Sequence, residues 1–232
     1  MAFHDYFGVE TANRDLDGNP SLSGPARLHW KGWYHRGGKR VLDVFLVVIA
    51  LPIILPVILL LAAIVACGGG KPFYSQPRAG LNGRHYRLWK LRSMVPDADA
   101  RLEAYLAADP AARAEWNSAQ KLKNDPRITR FGRLLRQTSL DELPQLWNVL
   151  KGDMSLVGPR PIMVNQEDLY PGRAYYTLRP GITGLWQVSE RNESTFAERV
   201  RFDDEYARDL SFAMDIRVLL ATIAVVLRGT GY

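Results

Sequence analysis

The sequence has few of the residues and motifs that several common kinds of site require. Its 232 residues include a single cysteine, Cys67, which excludes an intrachain disulfide. The four histidines are scattered and form no Cys/His metal cluster. A GxGxxG fingerprint and a Walker loop are both missing, so dinucleotide-binding and P-loop interpretations are excluded.

Acidic residues are also fewer than basic ones. The chain has 30 Lys and Arg residues against 24 Asp and Glu residues, which gives a formal net charge of +6. This balance favours anionic partners, but it leaves nucleic acid, lipid headgroups and nucleotides as alternatives.

Charge is absent altogether from the segment Val44–Cys67. The segment is long enough to cross a hydrocarbon core of about 30 Å as a helix, and it is too long for the apolar part of a signal peptide. A buried core helix of a soluble protein is the alternative. The length and the lack of charge favour contact with a membrane.

Two features favour a helix that re-enters the membrane over one that spans it. Pro52 and Pro56 lie in the middle of the segment, where each removes a backbone hydrogen bond and bends the helix. Basic residues flank both ends: Arg27, Lys31, Arg36, Lys39 and Arg40 before it, and Lys71, Arg78, Arg84, Arg87 and Lys90 after it. Since positive residues mark the cytoplasmic side, a bent helix that returns to the same face fits both flanks.

The rest of the chain indicates an α+β fold that is mainly helical. Asn82-Gly83 between aromatic-bearing stretches predicts a β-hairpin, and residues 97–122 are rich in helix formers broken by Pro110. The apolar run Val218–Leu227 is too short to span, so it is a core helix or an amphipathic interfacial one. We divide the chain into a mobile tail (1–38), a membrane re-entrant helix (39–70) and a cytoplasmic catalytic domain (71–232).

Adjacent acids at Asp141 and Glu142 have two interpretations. Ser139 and Glu142 fit a capping box at the start of a helix. Pro144 opposes this, because it would remove an early bond of a helix that began at Ser139. Alternatively, the two carboxylates perform chemistry or hold a hard cation such as Mg²⁺, which commonly takes one or two carboxylates together with substrate phosphates.

Several cations near these acids are candidates for binding phosphate. Arg160 lies between two prolines and Arg179 precedes another, which favours an extended backbone that holds a guanidinium in place. Lys90 and Arg92 lie on a predicted strand, and Arg136 belongs to a row of arginines in "PRITRFGRLLRQ". Each could equally be an ordinary surface cation in a turn or on a solvated helix face.

Taken together, the motifs resemble those of bacterial sugar transferases. "KRVLD", the proline-containing apolar run, "FYSQPRAGLNGRHYRLWKLRSM", "NDPRITRFGRLLRQTSLDELPQLWNVLKGDMSLVGPRP" and "RPGITGLWQVSERN" occur in the order seen in that family, across about residues 39–232. These are the monotopic polyprenol-phosphate phosphoglycosyl transferases that initiate surface-polysaccharide assembly. The chain looks most like the galactosyl-phosphate transferases of exopolysaccharide synthesis.

The resemblance implies transfer of hexose-1-phosphate from a UDP-sugar, UDP-galactose or UDP-glucose, to undecaprenyl phosphate with release of UMP. It implies Mg²⁺, a re-entrant helix in the bacterial inner membrane and an active site on the cytoplasmic face. The family's dyad falls on Asp141 and Glu142, with Asp141 as nucleophile and metal ligand. The family's helix-breaking Ser-Pro appears here as Leu55-Pro56, without the serine. Membrane lipids are implied partners, nucleic acid is not, and a homo-oligomer is left open.

Chemical reasoning also favours a covalent route. The acceptor phosphate is already anionic, so a general base has little to remove from it, and two carboxylates are better used as nucleophile and metal ligand. The alternative from another class is a non-catalytic basic module that binds anionic lipids or nucleic acid. A hydrolase of polyprenyl diphosphates is a weaker alternative. Neither lipid nor nucleic-acid binding gives a reason for the acid pair.

Overall fold

The computed structural model describes residues 32–119, 122, 124–189 and 198–227. The described helices are α1 (Lys39–Cys67), α2 (Ala98–Ala108), α3 (Pro110–Ala119), α4 (Arg130–Gln137), α5 (Gln145–Lys151), α6 (Leu185–Ser189), α7 (Arg199–Asp209) and α8 (Phe212–Leu227). The described strands are β1 (Phe73–Ala79), β2 (His85–Leu91), β3 (Ser155–Val157) and β4 (Gly181–Thr183). The prediction of a mainly helical α+β fold is confirmed.

Helix α1 contains most of the apolar segment. It passes through Pro52 and Pro56 as one assigned helix and ends before a run of glycines. The span Tyr34–Cys67 is the one helix among the described residues that is long and apolar enough to cross a membrane, and only 11% of its most apolar window is buried. A core helix would be mostly buried. Re-entry stays a prediction.

The start of the predicted tail lies outside the described residues, but its end does not. Tyr34–Gly38 form a π-helical turn that leads directly into α1. The Tyr34 ring is buried, and its hydroxyl donates to Asp215 of α8 at 2.5 Å. The last part of the segment 1–38 is therefore helical and packed.

The beginning of α1 is fixed to the body of the protein by the "KRVLD" motif. The Arg40 guanidinium donates to the carbonyls of Val149 and Leu150, at the end of α5. The Asp43 carboxylate accepts from the Ser155 hydroxyl at 2.8 Å and from the Leu156 N–H at 3.0 Å. Both contacts use charged groups to satisfy backbone and hydroxyl groups that packing would otherwise bury unpaired.

The end of α1 rests on the same body. Ala62 and Val65 pack against Leu91 and Leu135, and Arg92 donates to the Val65 carbonyl at 3.1 Å. A helix of 29 residues is about 43 Å long at 1.5 Å per residue. Both ends of this long helix therefore contact one body made of residues from beyond the membrane segment.

Strands β1 and β2 form the predicted antiparallel hairpin. A 3₁₀ turn, Leu81–Gly83, connects them, and Asn82 (φ 55°) and Gly83 (φ 72°) both adopt positive φ. Asn and Gly tolerate this conformation best, which is why the dipeptide predicted the turn correctly. The register pairs Arg78 with Tyr86 and Tyr74 with Lys90.

The acids lie between α4 and α5. Thr129 caps α4 by accepting from the Gly132 N–H at 2.8 Å. The capping-box interpretation of Ser139 is wrong: Ser139 has φ 56° and makes no side-chain capping hydrogen bond, and α5 begins only after Pro144. Proline has no N–H to lose at a helix start, so it marks the boundary.

Strands β3 and β4 pair in parallel and bring the two Pro-Arg segments together. A Cβ on Gly158 would lie 2.9 Å from the Gly181 nitrogen, so the close approach of these two segments of the backbone requires glycine there. Arg160 follows β3 and Arg179 precedes β4. This small sheet therefore fixes the backbone positions from which both arginine side chains extend.

Candidate active site

The acid pair occupies the 3₁₀ turn Leu140–Glu142 beside strand β2. Asp141 is only 7% exposed. The Lys90 ammonium from β2 lies 2.7 Å from Glu142 Oε1 and 3.7 Å from Asp141 Oδ2. One cation therefore serves both carboxylates, and its shorter contact is with Glu142.

Burial raises the pKa of the Asp141 carboxyl above its ordinary value. Lys90 and Arg136 oppose the rise, and the neighbouring Glu142 adds to it. The site thus holds a carboxylate with little hydration beside two cations. Such a group needs less desolvation before it attacks an electrophile than one in water does.

Arg136 is positioned by the segment that follows β2. Its Nε donates to the Ser93 hydroxyl at 2.8 Å, and the Ser93 carbonyl accepts from the Thr129 N–H at 3.1 Å. A side chain at Gly132 would collide with the same carbonyl. Burial lowers the pKa of Arg136, and the Asp141 carboxylate counteracts this. The helix α4 is therefore docked so that a partly desolvated guanidinium faces the acid turn.

A small, open cleft lies beside the turn. Its lining includes Lys90 and Glu142 from the acid site, Arg160 from the loop after β3, and Arg78 from β1. The cleft therefore has cations on several sides and one carboxylate at its edge. That charge pattern suits a phosphate-containing ligand.

The other two predicted arginines have contacts of a different kind. Arg92 donates to the carbonyls of Val65 and Gly69 at the end of α1. Arg179 Nε donates to the Gly152 carbonyl at 2.9 Å, just beyond α5. The structure brings Lys90, Arg160 and the acids together, whereas it uses Arg92 and Arg179 to satisfy helix ends. Binding of substrate by these two stays a prediction.

Arg78 was missed by sequence reasoning, and the turn signal alone could not have found it. Residues directly opposite one another in an antiparallel hairpin share a face. The register pairs Arg78 with Tyr86 and Tyr74 with Lys90, so Arg78 and Lys90 lie on one face of the hairpin. The observed loop between the paired Ala79 and His85 has five residues, and this places Arg78 opposite Tyr86. A two-residue turn at Asn82-Gly83 would instead pair Arg78 with Arg87, on the face opposite to Lys90.

The donor set for a metal is small. Among the described residues, no group of three or more His, Cys, Asp or Glu side chains could hold an ion. Asp141 and Glu142 remain as two adjacent carboxylates. This arrangement fits a cation that takes one or two carboxylates and completes its shell with substrate phosphates and water, as Mg²⁺ does.

A family model described as bacterial sugar transferase matches residues 34–229. The chain belongs to this bacterial sugar transferase family. It is 47% identical over 195 residues to the UDP-galactose-lipid carrier transferase of Erwinia amylovora, and 48% identical over 195 residues to the undecaprenyl-phosphate galactose phosphotransferase of Salmonella typhimurium. It is 42% identical over 196 residues to the exopolysaccharide production protein ExoY of Rhizobium meliloti.

These matches cover 83% of the chain in each case. They cover 41% of the first two relatives and 87% of ExoY. The chain thus spans less than half the length of the first two proteins. The recognition of the bacterial sugar transferase family from sequence is confirmed, and the matched unit includes α1 as well as the acid turn and the cleft.

Proposed function

We propose that the chain transfers hexose-1-phosphate from a UDP-sugar to undecaprenyl phosphate, releases UMP and thereby initiates assembly of an exopolysaccharide repeat unit. The observation that carries the proposal is the buried Asp141 beside Glu142 and Lys90, which both line a cleft that Arg78 and Arg160 also line. Family membership supports it. So do the names of the relatives, which describe transfer of galactose or its phosphate to a lipid carrier.

In the first step, an Asp141 carboxylate oxygen attacks the β-phosphorus of the UDP-sugar. A bond forms between that oxygen and phosphorus, and the anhydride bond to the α-phosphate breaks. UMP leaves with the bridging oxygen, and Asp141 carries the sugar phosphate. In the second step, a phosphate oxygen of undecaprenyl phosphate attacks the same phosphorus, and the aspartate carboxylate departs. No proton needs to be removed from either nucleophile.

Cations make this attack of one anion on another feasible. Lys90 lies within 3.7 Å of the Asp141 carboxylate, and Arg160 lines the same cleft. Their charges would screen the repulsion and stabilise the phosphoryl oxygens as charge moves onto them. Arg136 is partly desolvated, and its positive charge interacts favourably with the Asp141 carboxylate.

Asp141 and Glu142 would hold Mg²⁺ when the donor is bound, with the diphosphate completing the shell. The ion would supply neutralisation of phosphate charge. Glu142 already binds the Lys90 ammonium at 2.7 Å, so this acid can orient a cation while Asp141 reacts.

The placement of α1 supports an interfacial site and a re-entrant helix. A straight span would carry one end of α1 to the opposite face, about 30 Å away. Arg40 near its start and Val65 near its end both bond to the same body, which favours a helix that stays on one side. Because UDP-sugars are cytoplasmic nucleotides, we place that body on the cytoplasmic face of the inner membrane. Exposed Phe212, Ile223 and Val226 make α8 a candidate interfacial helix.

The covalent step is tested by supplying UDP-galactose without acceptor and measuring the intact mass of the protein after a rapid quench. We expect a mass increase of one hexose phosphate, absent in Asp141→Asn and present in Asp209→Asn, whose side chain is a surface partner of Arg208. UDP-glucose tests the other hexose. An unmodified wild-type mass, together with normal product formation once acceptor is added, would favour direct transfer instead.

A further inference from the structure

Gln145, the first residue of α5, carries a buried amide that the described part of the protein does not engage. The residue is only 2% exposed, and it lines the cleft beside the acid turn. No described residue donates a hydrogen bond to its side chain or accepts one from it. Burying an amide without a partner is unfavourable for folding. Stability of the fold therefore does not explain why a glutamine occupies this position.

Asn148, three residues further along α5, shows how the fold uses a buried amide for its framework. Its oxygen accepts from the Trp89 N–H at 3.1 Å. Its nitrogen donates to the Arg87 carbonyl at 2.7 Å and to the Asp153 carboxylate at 3.1 Å. The acceptor and the donor of Asn148 are thus both satisfied within the chain. Gln145 keeps both groups, a carbonyl acceptor and an N–H donor, for a ligand.

The backbone brings Gln145 to the acid turn. Leu143 and Pro144 have right-handed helical backbone angles, so the chain passes from the acid turn into α5 without a break. Residues three apart on such a backbone share a face. Glu142 and Gln145 accordingly both line the cleft. The amide therefore faces the same space as the acid next to Asp141.

The charged groups of the cleft do not complement both halves of this amide when only phosphate is bound. Arg78, Lys90 and Arg160 line the cleft and can only donate hydrogen bonds. The Glu142 carboxylate accepts, but the Lys90 ammonium already lies 2.7 Å from it. Ionised phosphate oxygens match the cations but have no proton to donate, so they would leave the Gln145 oxygen unpaired. A ligand that suits the whole lining carries donor groups as well as phosphate.

We infer that Gln145 is a hexose-binding residue, whose amide exchanges hydrogen bonds with hydroxyl groups of the sugar on the attacked phosphate. A hydroxyl both donates and accepts, which matches the two halves of the amide. The hexose is bonded through one oxygen to the phosphorus that Asp141 attacks, whereas the uridine lies beyond a second phosphate. The closeness of Gln145 to the acid turn therefore favours the sugar over the base. The inference rests on the proposed function, because it concerns the sugar of the same donor.

The test measures equilibrium binding of UDP-galactose, UDP-glucose and UMP to the full chain in detergent. Asp141→Asn serves as the parent, so that the donor is not consumed, and Gln145→Leu is added to it. We expect Gln145→Leu to weaken the UDP-hexose that the parent binds by roughly 5- to 100-fold, the usual effect of leaving a buried polar group unpaired. Affinity for UMP, which has no sugar beyond its phosphate, should stay within twofold.

Two further measurements separate binding of the sugar from a role in folding. Leucine is apolar and similar in size to glutamine, so Gln145→Leu removes an unpaired buried amide and should keep or raise the melting temperature. UDP-hexoses that each lack one hydroxyl identify the contacted group. The parent should bind one of these analogues more weakly than the complete sugar, and Gln145→Leu should not distinguish the two, because the shared contact is already lost.

Gln137→Leu is the matched control, because Gln137 is an exposed glutamine at the end of α4. It should leave all affinities within twofold. Unchanged affinity for the UDP-hexoses in Gln145→Leu would overturn the inference. An equal loss of UMP would also overturn it, because the contact would then be with the nucleotide. A lower melting temperature with loss of every ligand would assign Gln145 to the framework instead.

The outcomes distinguish this inference from the proposed function. A parent that binds neither UDP-hexose contradicts the proposed donor, and the inference fails with it. A parent that binds a UDP-hexose as tightly with leucine at position 145 as with glutamine contradicts the inference alone. Binding is measured without turnover, so a selective loss of the UDP-hexose would support the contact even if Asp141 proves not to form an adduct.

Discussion

Asp215 and Asp141 are both buried aspartates, but the fold surrounds them differently. Asp215 is 1% exposed, and its carboxylate receives three contacts: the hydroxyls of Tyr34 and Tyr206, each at 2.5 Å, and the Lys39 ammonium at 2.6 Å. Both oxygens of the Asp215 carboxylate are therefore engaged. This aspartate ties the start of α1 to α7 and α8, and it has no capacity left for a ligand.

Asp141 has a much looser environment. Its closest cation, Lys90, lies 3.7 Å away and makes its shorter contact with Glu142. Among the described residues, only the Asp141 backbone N–H donates a hydrogen bond to its side chain. A buried acid that the protein leaves incompletely satisfied is costly to stability, so its retention indicates a role in chemistry. The contrast indicates that Asp215 stabilises the framework of the molecule, whereas Asp141 is available to react.

The largest effect should come from Asp141→Asn. The amide keeps the size of the side chain but removes the nucleophilic oxygen, so we expect UMP release to fall by at least about 1,000-fold. Because the raised pKa means that the folded state favours a neutral group here, the melting temperature should stay constant or rise. Product assays and thermal unfolding in detergent check both parts. Turnover close to that of the wild type would remove Asp141 from the mechanism.

Asp215→Asn should give the opposite pattern. Removing the charge leaves Lys39 without its partner and weakens two tyrosine contacts, which typically costs about 3–5 kcal/mol. For a chain of this size we expect a drop in melting temperature of roughly 6 to 20 °C, with catalysis retained at low temperature. Asp209→Asn, in an exposed ion pair, should change stability by less than about 1 kcal/mol. Equal melting temperatures for the two variants would contradict the assigned framework role.

The same contrast explains what the sequence could and could not predict. The hairpin and the break at Pro110 follow from local backbone preferences, and both were predicted correctly. The capping box also looked local, yet Ser139 adopts a left-handed conformation that no short pattern specifies. Local rules predict elements well, but they fail where tertiary contacts impose a strained residue.

The roles of the arginines depend even more on tertiary structure. Arg92 and Arg160 are both flanked by motif residues, but one contacts the end of α1 and the other lines the cleft. Arg199 lies in a charge-rich stretch that looks like a solvated helix face, and only the packing of α7 on α6 brings it to Trp186. Residue type and spacing identified the acid pair, but they could not tell which cations face it.

A smaller effect is expected at Asn148, which joins α5 to the strand that carries Lys90. Asn148 is fully buried on α5, accepts from the Trp89 N–H at 3.1 Å and donates to the Arg87 carbonyl at 2.7 Å. Both partners lie on β2 beside Lys90. Asn148→Ala leaves these groups unpaired, at a cost of about 1–3 kcal/mol.

The measurement for Asn148→Ala combines melting temperature with steady-state kinetics. We expect a lower melting temperature and a lower kcat, because the Lys90 strand is no longer fixed against α5. Asn117→Ala, on the exposed face of α3, is the control and should change neither quantity. A stability loss with unchanged kcat would show that Asn148 supports the fold without positioning Lys90.

The smallest effect concerns Asp203, and it tests whether this acid is neutral or ionised where it interacts with Arg199. Burial raises the pKa of Asp203 to about 7, above an ordinary value of about 3.9, so the folded protein binds this proton more tightly than the unfolded chain does. The resulting stability is fully present at low pH and is lost as pH rises from about 4 to about 7. The melting temperature of the wild type should therefore fall by a few degrees relative to Asp203→Asn between pH 5 and pH 8. If the wild type instead gains stability relative to the variant over that interval, Asp203 is an ionised partner of Arg199.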